Sequence, residues 1–275
     1  MEVLKTVDQA ELEVKRGERF QFGKNWQRFL KILNDERIAE AEKSLQQMLE
    51  IEHLQGKRFL DIGSGSGLFS LAARRLGAKV HSFDYDPDSV ACTQELKSQY
   101  FPNDSHWIIE QGSVLDTDYI KSLGEFDIVY SWGVLHHTGA MWQALENASL
   151  PVSRRGLLFV AIYNQQGWIS NYWKKVKEFY NKNIGLQLIT IFVHLPYLFL
   201  LRFLVRAITG RLKNERGMSI WFDMLDWLGG YPFEVAKPEE ICIFYRRQGF
   251  HLLNLKTCAG KQGCNEFVFL KENAL

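Results

Sequence analysis

The spacing of apolar positions changes character twice along the chain. Residues 8–52 carry apolar side chains at helical spacing. Aromatics stand at Phe20, Phe22, Trp26 and Phe29, and Ile38, Ala41, Leu45 and Leu49 form one face over Arg37–Leu54. From Lys57 short apolar runs alternate with helical stretches. The runs predict strands at Arg58–Ile62, Lys79–Asp84, Trp107–Glu110, Phe126–Ser131 and Gly156–Ile162. Helices are expected between them at Leu68–Leu76, Pro87–Gln99, Asp118–Leu123 and Met141–Ala148. After Tyr163 the alternation stops, and residues 164–236 are aromatic, basic and helix-like. Two further strands are expected at Gly249–Leu255 and Cys264–Leu270.

Strand–helix alternation of this length implies an α/β fold, a mostly parallel Rossmann-like sheet with helices on both faces. The expected division is an N-terminal helical segment (1–56), a core (57–163 and 237–275) and a helical cap inserted between its halves (164–236). An insertion after the fifth strand falls at the C-terminal edge of the sheet, where ligands bind in open α/β folds.

The turn after the first strand narrows the ligand. Phe59–Gly67 reads FLDIGSGSG, with glycines at 63, 65 and 67. A dinucleotide loop would place its third glycine where Leu68 stands, and a Walker loop would follow with Lys; neither pattern is present. Asp61 beside the turn suits a ligand with positive charge and disfavours a pyrophosphate. Asp84 ends the second strand, where a carboxylate can accept from both hydroxyls of a ribose. Tyr85 can lie against an adenine face, and Asp116 follows the third strand within reach of an exocyclic amine. Taken singly, Asp84 can also be read as a helix cap and Asp116 as a turn residue, but their joint spacing after a glycine turn favours the ligand reading.

The run Leu60–Gly67, the acid at Asp84 and the strand Phe126–Ser131 resemble the class I S-adenosylmethionine-dependent methyltransferases. Ser131–His137 (SWGVLHH) is similar to the segment after the fourth strand in their ubiquinone and menaquinone methyltransferase-like branch. The resemblance implies a seven-stranded sheet whose last strand, here Gly263–Leu270, is antiparallel. It implies S-adenosyl-L-methionine as cofactor, with the methionine part against Asp61, Gly63, Ser64, Gly65 and Gly67. Asp84 would take the ribose, Tyr85 and Asp116 the adenine, and Ser131 would border the site. Phe20–Trp26 and Trp227–Val235 resemble a distinct bacterial branch of the same family. Phe22 and Trp26 either close over the cofactor or staple the N-terminal helix to the core.

Methyl transfer to a hydroxyl needs a proton acceptor, and His136 and His137 follow the fourth strand at the ligand edge. His137 is the favoured base; the alternative is that both histidines only orient the loop. Tyr163, Asn164, Arg216 and Tyr231 are the candidate acceptor contacts, with Asn164 also a possible turn residue. Arg202 is a second anion-binding candidate. Asp223, Asp226 and Glu234 are rival bases. No metal-ligand spacing is present.

Charge and composition then limit the partners. The 275 residues carry 33 basic and 32 acidic side chains, a net charge of +1, so nucleic acid is not an expected partner. The four cysteines form no CxxC pair, and the first residues contain no apolar targeting run, which points to the cytoplasm. Ile184–Leu201 contains no charged residue. It reads as a buried or lid helix, or as a membrane-surface contact flanked by Lys182, Arg202, Arg206, Arg211 and Lys213. The expected activity is methylation, most readily at oxygen, of a small-molecule or lipid-like acceptor. The alternatives are a protein or RNA acceptor, and a membrane-peripheral cofactor-binding module without catalysis.

Overall fold

A computed structural model describes residues 9, 10, 12–201 and 220–272. Arg202, Arg206, Arg211, Lys213 and Arg216 lie outside the described residues, as do the side chains of Trp221, Phe222, Asp223 and Asp226. The N-terminal region is not one continuous helix. Gly17 turns at a positive φ of 72°, and residues 18–22 cross the molecule before helix α1 (Gly23–Leu30). Asn34 then starts α2 (Asp35–Leu49) by accepting a hydrogen bond from the Arg37 amide.

Seven strands follow: β1 (Arg58–Ile62), β2 (Lys79–Asp84), β3 (Trp107–Gln111), β4 (Phe126–Trp132), β5 (Val152–Tyr163), β6 (Phe250–Lys256) and β7 (Cys264–Lys271). They form one sheet in the order β3-β2-β1-β4-β5-β7-β6. β1 to β5 are parallel, and β7 runs antiparallel between β5 and β6. This is the architecture expected from the alternation of short apolar runs and helices. β5 begins four residues before its apolar run, because Val152 pairs with Phe126 ahead of an irregularity in the β4–β5 register.

The helices between strands are α3 (Leu68–Arg75), α4 (Pro87–Tyr100), α5 (Thr117–Ser122), α6 (Met141–Ser149) and α10 (Pro238–Arg247). Alternate residues of each strand face opposite layers. Phe59, Val80, Ile128, Tyr130 and Phe159 pack under α2, α3 and α4. Leu60, Phe83, Val129, Leu158 and Phe267 pack under α5, α6 and α10. Phe159 and Tyr130 stack with ring centroids 4.7 Å apart at the centre of the first layer.

Between β5 and α10 the described residues form α7 (Trp168–Lys182), α8 (Ile184–Leu195, extended by a π-helical turn at Pro196–Leu201) and α9 (Ile220–Gly229). These share a third apolar cluster built on Trp173, Tyr180, Leu198, Met224 and Phe233. The uncharged stretch is therefore half-buried: Leu198 and Thr190 are covered, while Leu188 and Phe192 are open to solvent. No helix among the described residues is long and apolar enough to cross a membrane.

Truncating a stacked core ring leaves a cavity as well as losing transfer free energy. Phe159→Ala is expected to cost about 3–5 kcal/mol in urea unfolding. Ile108→Ala, at an exposed position of β3, is expected to stay within about 0.5 kcal/mol.

Candidate functional site

A cavity of about 400 Å³ opens at the C-terminal edge of the parallel strands. Its floor comes from the layer that lies under α2, α3 and α4. Asp61, Asp84, Tyr130 and Trp132 all stand at positions of that parity, and each lines it. Ser131 has the opposite parity. It is fully buried, donates to the Ile62 carbonyl at 3.1 Å and does not line the cavity.

The glycine loop needs its glycines for two reasons. Gly63, Gly65 and Gly67 have φ of 77°, 55° and 79°, a region that side chains resist. A Cβ on Gly63 would also meet Val134 at 2.4 Å, and one on Gly65 would meet the Trp26 indole at 3.0 Å. Trp26 thus lies directly over the loop, and Phe22 and Phe29 join it in the cavity wall. Ser64 lines the same wall and pairs its hydroxyl with Thr93.

Asp84 accepts the Gly65 amide at 2.9 Å through Oδ2 and the Asp86 amide at 2.9 Å through Oδ1. Each oxygen keeps one lone-pair direction for a ligand donor. Asp86 in turn accepts the Gly23 amide at 2.8 Å and so ties α1 to the loop. Burial pushes the Asp84 carboxyl up to about 6, although its two amide bonds pull the other way. Asp61 accepts from Ser70, which shares its hydroxyl with Ser82, itself an acceptor for the Trp107 indole. Burial raises Asp61 to about 7; the Ser70 bond opposes this and the Asp84 charge adds to it. Asp61 is buried and Asp84 half-buried, both face the cavity, and the Arg19 charge acts favourably on Asp84. The ligand that such a site accommodates is one that brings cationic charge and hydroxyl donors.

Arg19 closes the other side. Its guanidinium lies 4.7 Å from the Tyr85 ring centroid, pairs with Glu13 at 2.8 Å and donates to the His137 carbonyl at 3.1 Å. Tyr85 lines the cavity and donates its hydroxyl to Glu13. Beyond β3, Gly112 to Leu115 complete this end. Asp116 does not take part. It is exposed and caps α5, accepting from the Asp118 and Tyr119 amides. The chain turns away from the cavity at Asp116 because its carboxylate is used by the helix start.

The two histidines have different surroundings. His137 lines the cavity, and its Nδ1 donates to the Pro232 carbonyl at 2.6 Å. A carbonyl only accepts, so Nδ1 carries the proton and Nε2 the lone pair. Burial lowers His137 to about 3, with the nearby Lys177 charge acting in the same direction. His136 is fully buried away from the cavity, its ring centroid 4.0 Å from that of Tyr163. Burial holds it neutral.

The expected acceptor contacts are dispersed. Tyr163 packs among His136, Trp227 and Phe233 in the insertion. Asn164 bridges to the β6–β7 loop through Asn265 and the Gly263 carbonyl. Tyr231 holds the Phe20 amide through its carbonyl. None of the three lines the cavity, and Arg216 is outside the described residues. Glu234 accepts from the Met141 amide at the start of α6.

Instead, the cavity runs on toward β7 and β6, past Phe69 and Trp132 to Glu266 and Lys256, with Arg37 and Glu40 of α2 at its rim. Trp132 donates its indole N–H to Glu266 at 3.3 Å. The alternation along β4 marked Trp132 as a neighbour of Tyr130. Nothing local marked Arg19, Arg37, Glu40 or Lys256, which arrive from distant segments. Among the described residues no three His, Cys, Asp or Glu side chains converge where they could hold a metal ion.

Residues 60–158 match the family model described as a methyltransferase domain. The chain is 24% identical over 191 residues to a ribosomal protein L11 methyltransferase of Bacillus velezensis, covering 59% of this chain and 61% of that protein. It is 28% identical over 129 residues to a ubiquinone biosynthesis O-methyltransferase of Rhodopseudomonas palustris, covering 47% and 49%. It thus matches between about half and three fifths of these relatives' lengths. In fold it resembles the magnesium protoporphyrin IX methyltransferase of Synechocystis PCC 6803, solved with S-adenosylhomocysteine bound. That likeness has a TM-score of 0.51 at 14% identity and covers 90% of this chain and 95% of that one.

The raised carboxyls carry a pH signature. A folded-state pKa above the unfolded value means that the folded protein holds a proton the unfolded chain has released. Stability without ligand therefore falls as pH rises from about 4 to about 7, and levels off above. Asp61→Asn keeps an acceptor for Ser70 and removes that titration. Relative to the parent it is expected to gain on the order of 2–4 kcal/mol between about pH 4 and about pH 8. Denaturant melts at the two pH values measure the difference.

The matched segment and the sheet point the same way: residues 60–158 match a methyltransferase domain, and the seven-stranded sheet that carries them resembles in fold a solved methyltransferase.

Proposed function

We propose that the protein is an active S-adenosylmethionine-dependent methyltransferase that methylates oxygen on a small-molecule or lipid-like acceptor. The observation that carries the reading is one continuous cavity lined by the glycine loop, Asp84 and His137, whose Nδ1 is taken by the Pro232 carbonyl.

In this reading Asp84 accepts the ribose hydroxyls on its two remaining lone pairs, while Asp61 and the loop amides hold the charged amino acid end. Tyr85 and Gly112–Leu115 border the base. When bound, the cofactor supplies an electrophilic methyl group on a sulfonium. The chain's own residues bind, align and exclude water. His137 Nε2 takes the proton of an acceptor hydroxyl as the oxygen becomes nucleophilic. A base lowered to about 3 is weak toward a free alcohol. It suits a proton that becomes acidic only as the oxygen reacts, and the Pro232 bond fixes the tautomer that can accept it.

The acceptor's place follows from the remaining volume. Five strand spacings of about 4.8 Å separate β2 from β6, roughly 24 Å in all. A cofactor held between β2 and β4 leaves the arm past Phe69 and Trp132 for the acceptor. Its aromatic walls suit a ring or an apolar tail. A protein acceptor, as named for the Bacillus velezensis relative, is the second reading. The strap of Arg19 and the α1 aromatics across the cavity favours a small molecule.

Calorimetric titration with S-adenosylmethionine is expected to show binding that Asp84→Ala weakens by about 30- to 100-fold, or roughly 2–3 kcal/mol. Affinity indifferent to the substitution would sink the cofactor-site assignment. Mass spectrometry of cell extract treated with enzyme and cofactor should reveal a metabolite heavier by about 14 mass units, one methylene equivalent. With that acceptor in hand, His137→Gln is expected to lower kcat by about 10²- to 10⁴-fold with cofactor affinity unchanged. An unaltered kcat would rule His137 out as the base.

A further inference from the structure

Between Ile184 and Leu201 there is no charged side chain, and the described residues of α8 divide by helical period. Thr190, Ile191, Leu195 and Leu198 face the apolar cluster shared with α7 and α9. Ile184, Leu188, Phe192 and Val193 lie on the outer half and are 70%, 60%, 78% and 61% exposed. α7 extends this surface. Trp168, Tyr172 and Phe179 are exposed on one helical face, with Lys175 and Lys182 at the intervening positions of that face. Tyr172 and His194 hold the two helices together through a 2.8 Å hydrogen bond. Single exposed apolar residues need no explanation; a stripe running the length of two adjoining helices marks an interaction surface.

Charge identifies the occupant. The exposed lysines around the stripe are Lys174, Lys175 and Lys182, and the only acid on α7 is Glu178, paired with Lys182 at 3.3 Å. The chain continues into residues 202–219, outside the described residues, whose composition is five arginines and lysines against one glutamate. A second copy docked through the same patch would bring like charges together. An apolar stripe edged by cations complements a bilayer with anionic headgroups. Among the described residues the helix is not long and apolar enough to span, and its two-sided pattern suits lying in the plane of the interface.

We propose that the α7–α8 hairpin is a peripheral docking surface for an anionic lipid bilayer, with the outer stripe of α8 among the acyl chains and Lys175 and Lys182 at the headgroups. The inner side of the same hairpin packs on Tyr163, whose ring touches both His136 and His137. The surface thus joins the methyltransferase cavity to a source of apolar acceptors. That last connection rests on the function proposed above; the docking itself does not.

The test is flotation of the full chain with vesicles of phosphatidylcholine alone and of phosphatidylcholine mixed with phosphatidylglycerol. The protein is expected to float with the mixed vesicles and several-fold less with the neutral ones. Leu188→Asp/Phe192→Asp is expected to reduce flotation at least tenfold, and Lys175→Glu/Lys182→Glu to erase the difference between the vesicle types. Both variants alter exposed side chains, and unchanged calorimetric binding of S-adenosylmethionine shows that they are folded. No flotation by the parent, or flotation indifferent to Leu188→Asp/Phe192→Asp, overturns the proposal. So does a concentration-dependent dimer in light scattering that this variant abolishes, since the patch then belongs to a second copy. Loss of flotation with cofactor binding intact counts against docking alone; flotation without cofactor binding counts against the methyltransferase reading alone.

Discussion

Two half-buried carboxylates, Asp84 at the end of β2 and Asp86 at the start of α4, hold the site together. Asp84 accepts the Gly65 and Asp86 amides, and Asp86 accepts the Gly23 and Asp88 amides. Through these four bonds the glycine loop, the end of β2, the start of α4 and the start of α1 share one polar frame. The arrangement fixes the floor of the cavity and the root of its aromatic wall together. It also leaves charge buried: burial raises Asp84 and Asp61 above ordinary carboxyl values. A carboxylate in such surroundings is costly to ionise, so the pair suits a ligand that brings cationic charge and hydroxyl donors.

The sheet distributes roles by parity. Asp61, Asp84, Tyr130, Trp132 and Glu266 come from four strands, yet the two-residue period points all of them into one layer. Ser131, one residue away from two of them, belongs to the opposite layer and serves as a tie between β4 and β1. Because β7 inserts antiparallel between β5 and β6, Glu266 and Lys256 reach the edge where the parallel strands end. The cavity gains its second arm from that topology.

The histidine pair shows how an insertion can set chemistry without entering the cavity. Pro232 lies in the segment after α9, and its carbonyl fixes the His137 tautomer. Lys177, fully buried on α7 among Trp227 and Phe233, adds positive charge behind both rings. Together they keep His137 neutral, while His136 is absorbed into aromatic packing with Tyr163. The helices that turn their outer face to the surroundings thus govern the proton inventory within.

Much of this was legible in the chain itself. The strand limits of β1 and β2, the glycine turn, Asp84, Tyr85 and the covering role open to Trp26 all depend on short-range constraints. A two-residue period, positive φ at glycine and an acid at a strand end are local properties. Asp116, Ser131, Tyr163 and Asn164 were harder to place. Each sits beside the right strand, but a helix cap, a parity switch, an aromatic stack and a loop bridge claim them. Arg19, Arg37 and Lys256 had no local mark, because what brings them to the cavity is packing between segments far apart in sequence. The sequence alone determined the fold and the conformation of the glycine loop, since both follow from neighbours along the chain. Which histidine faces the cavity, where the second arm runs and which half of the uncharged helix meets solvent were decided only by tertiary structure, because each depends on which surfaces the folded elements bury against one another.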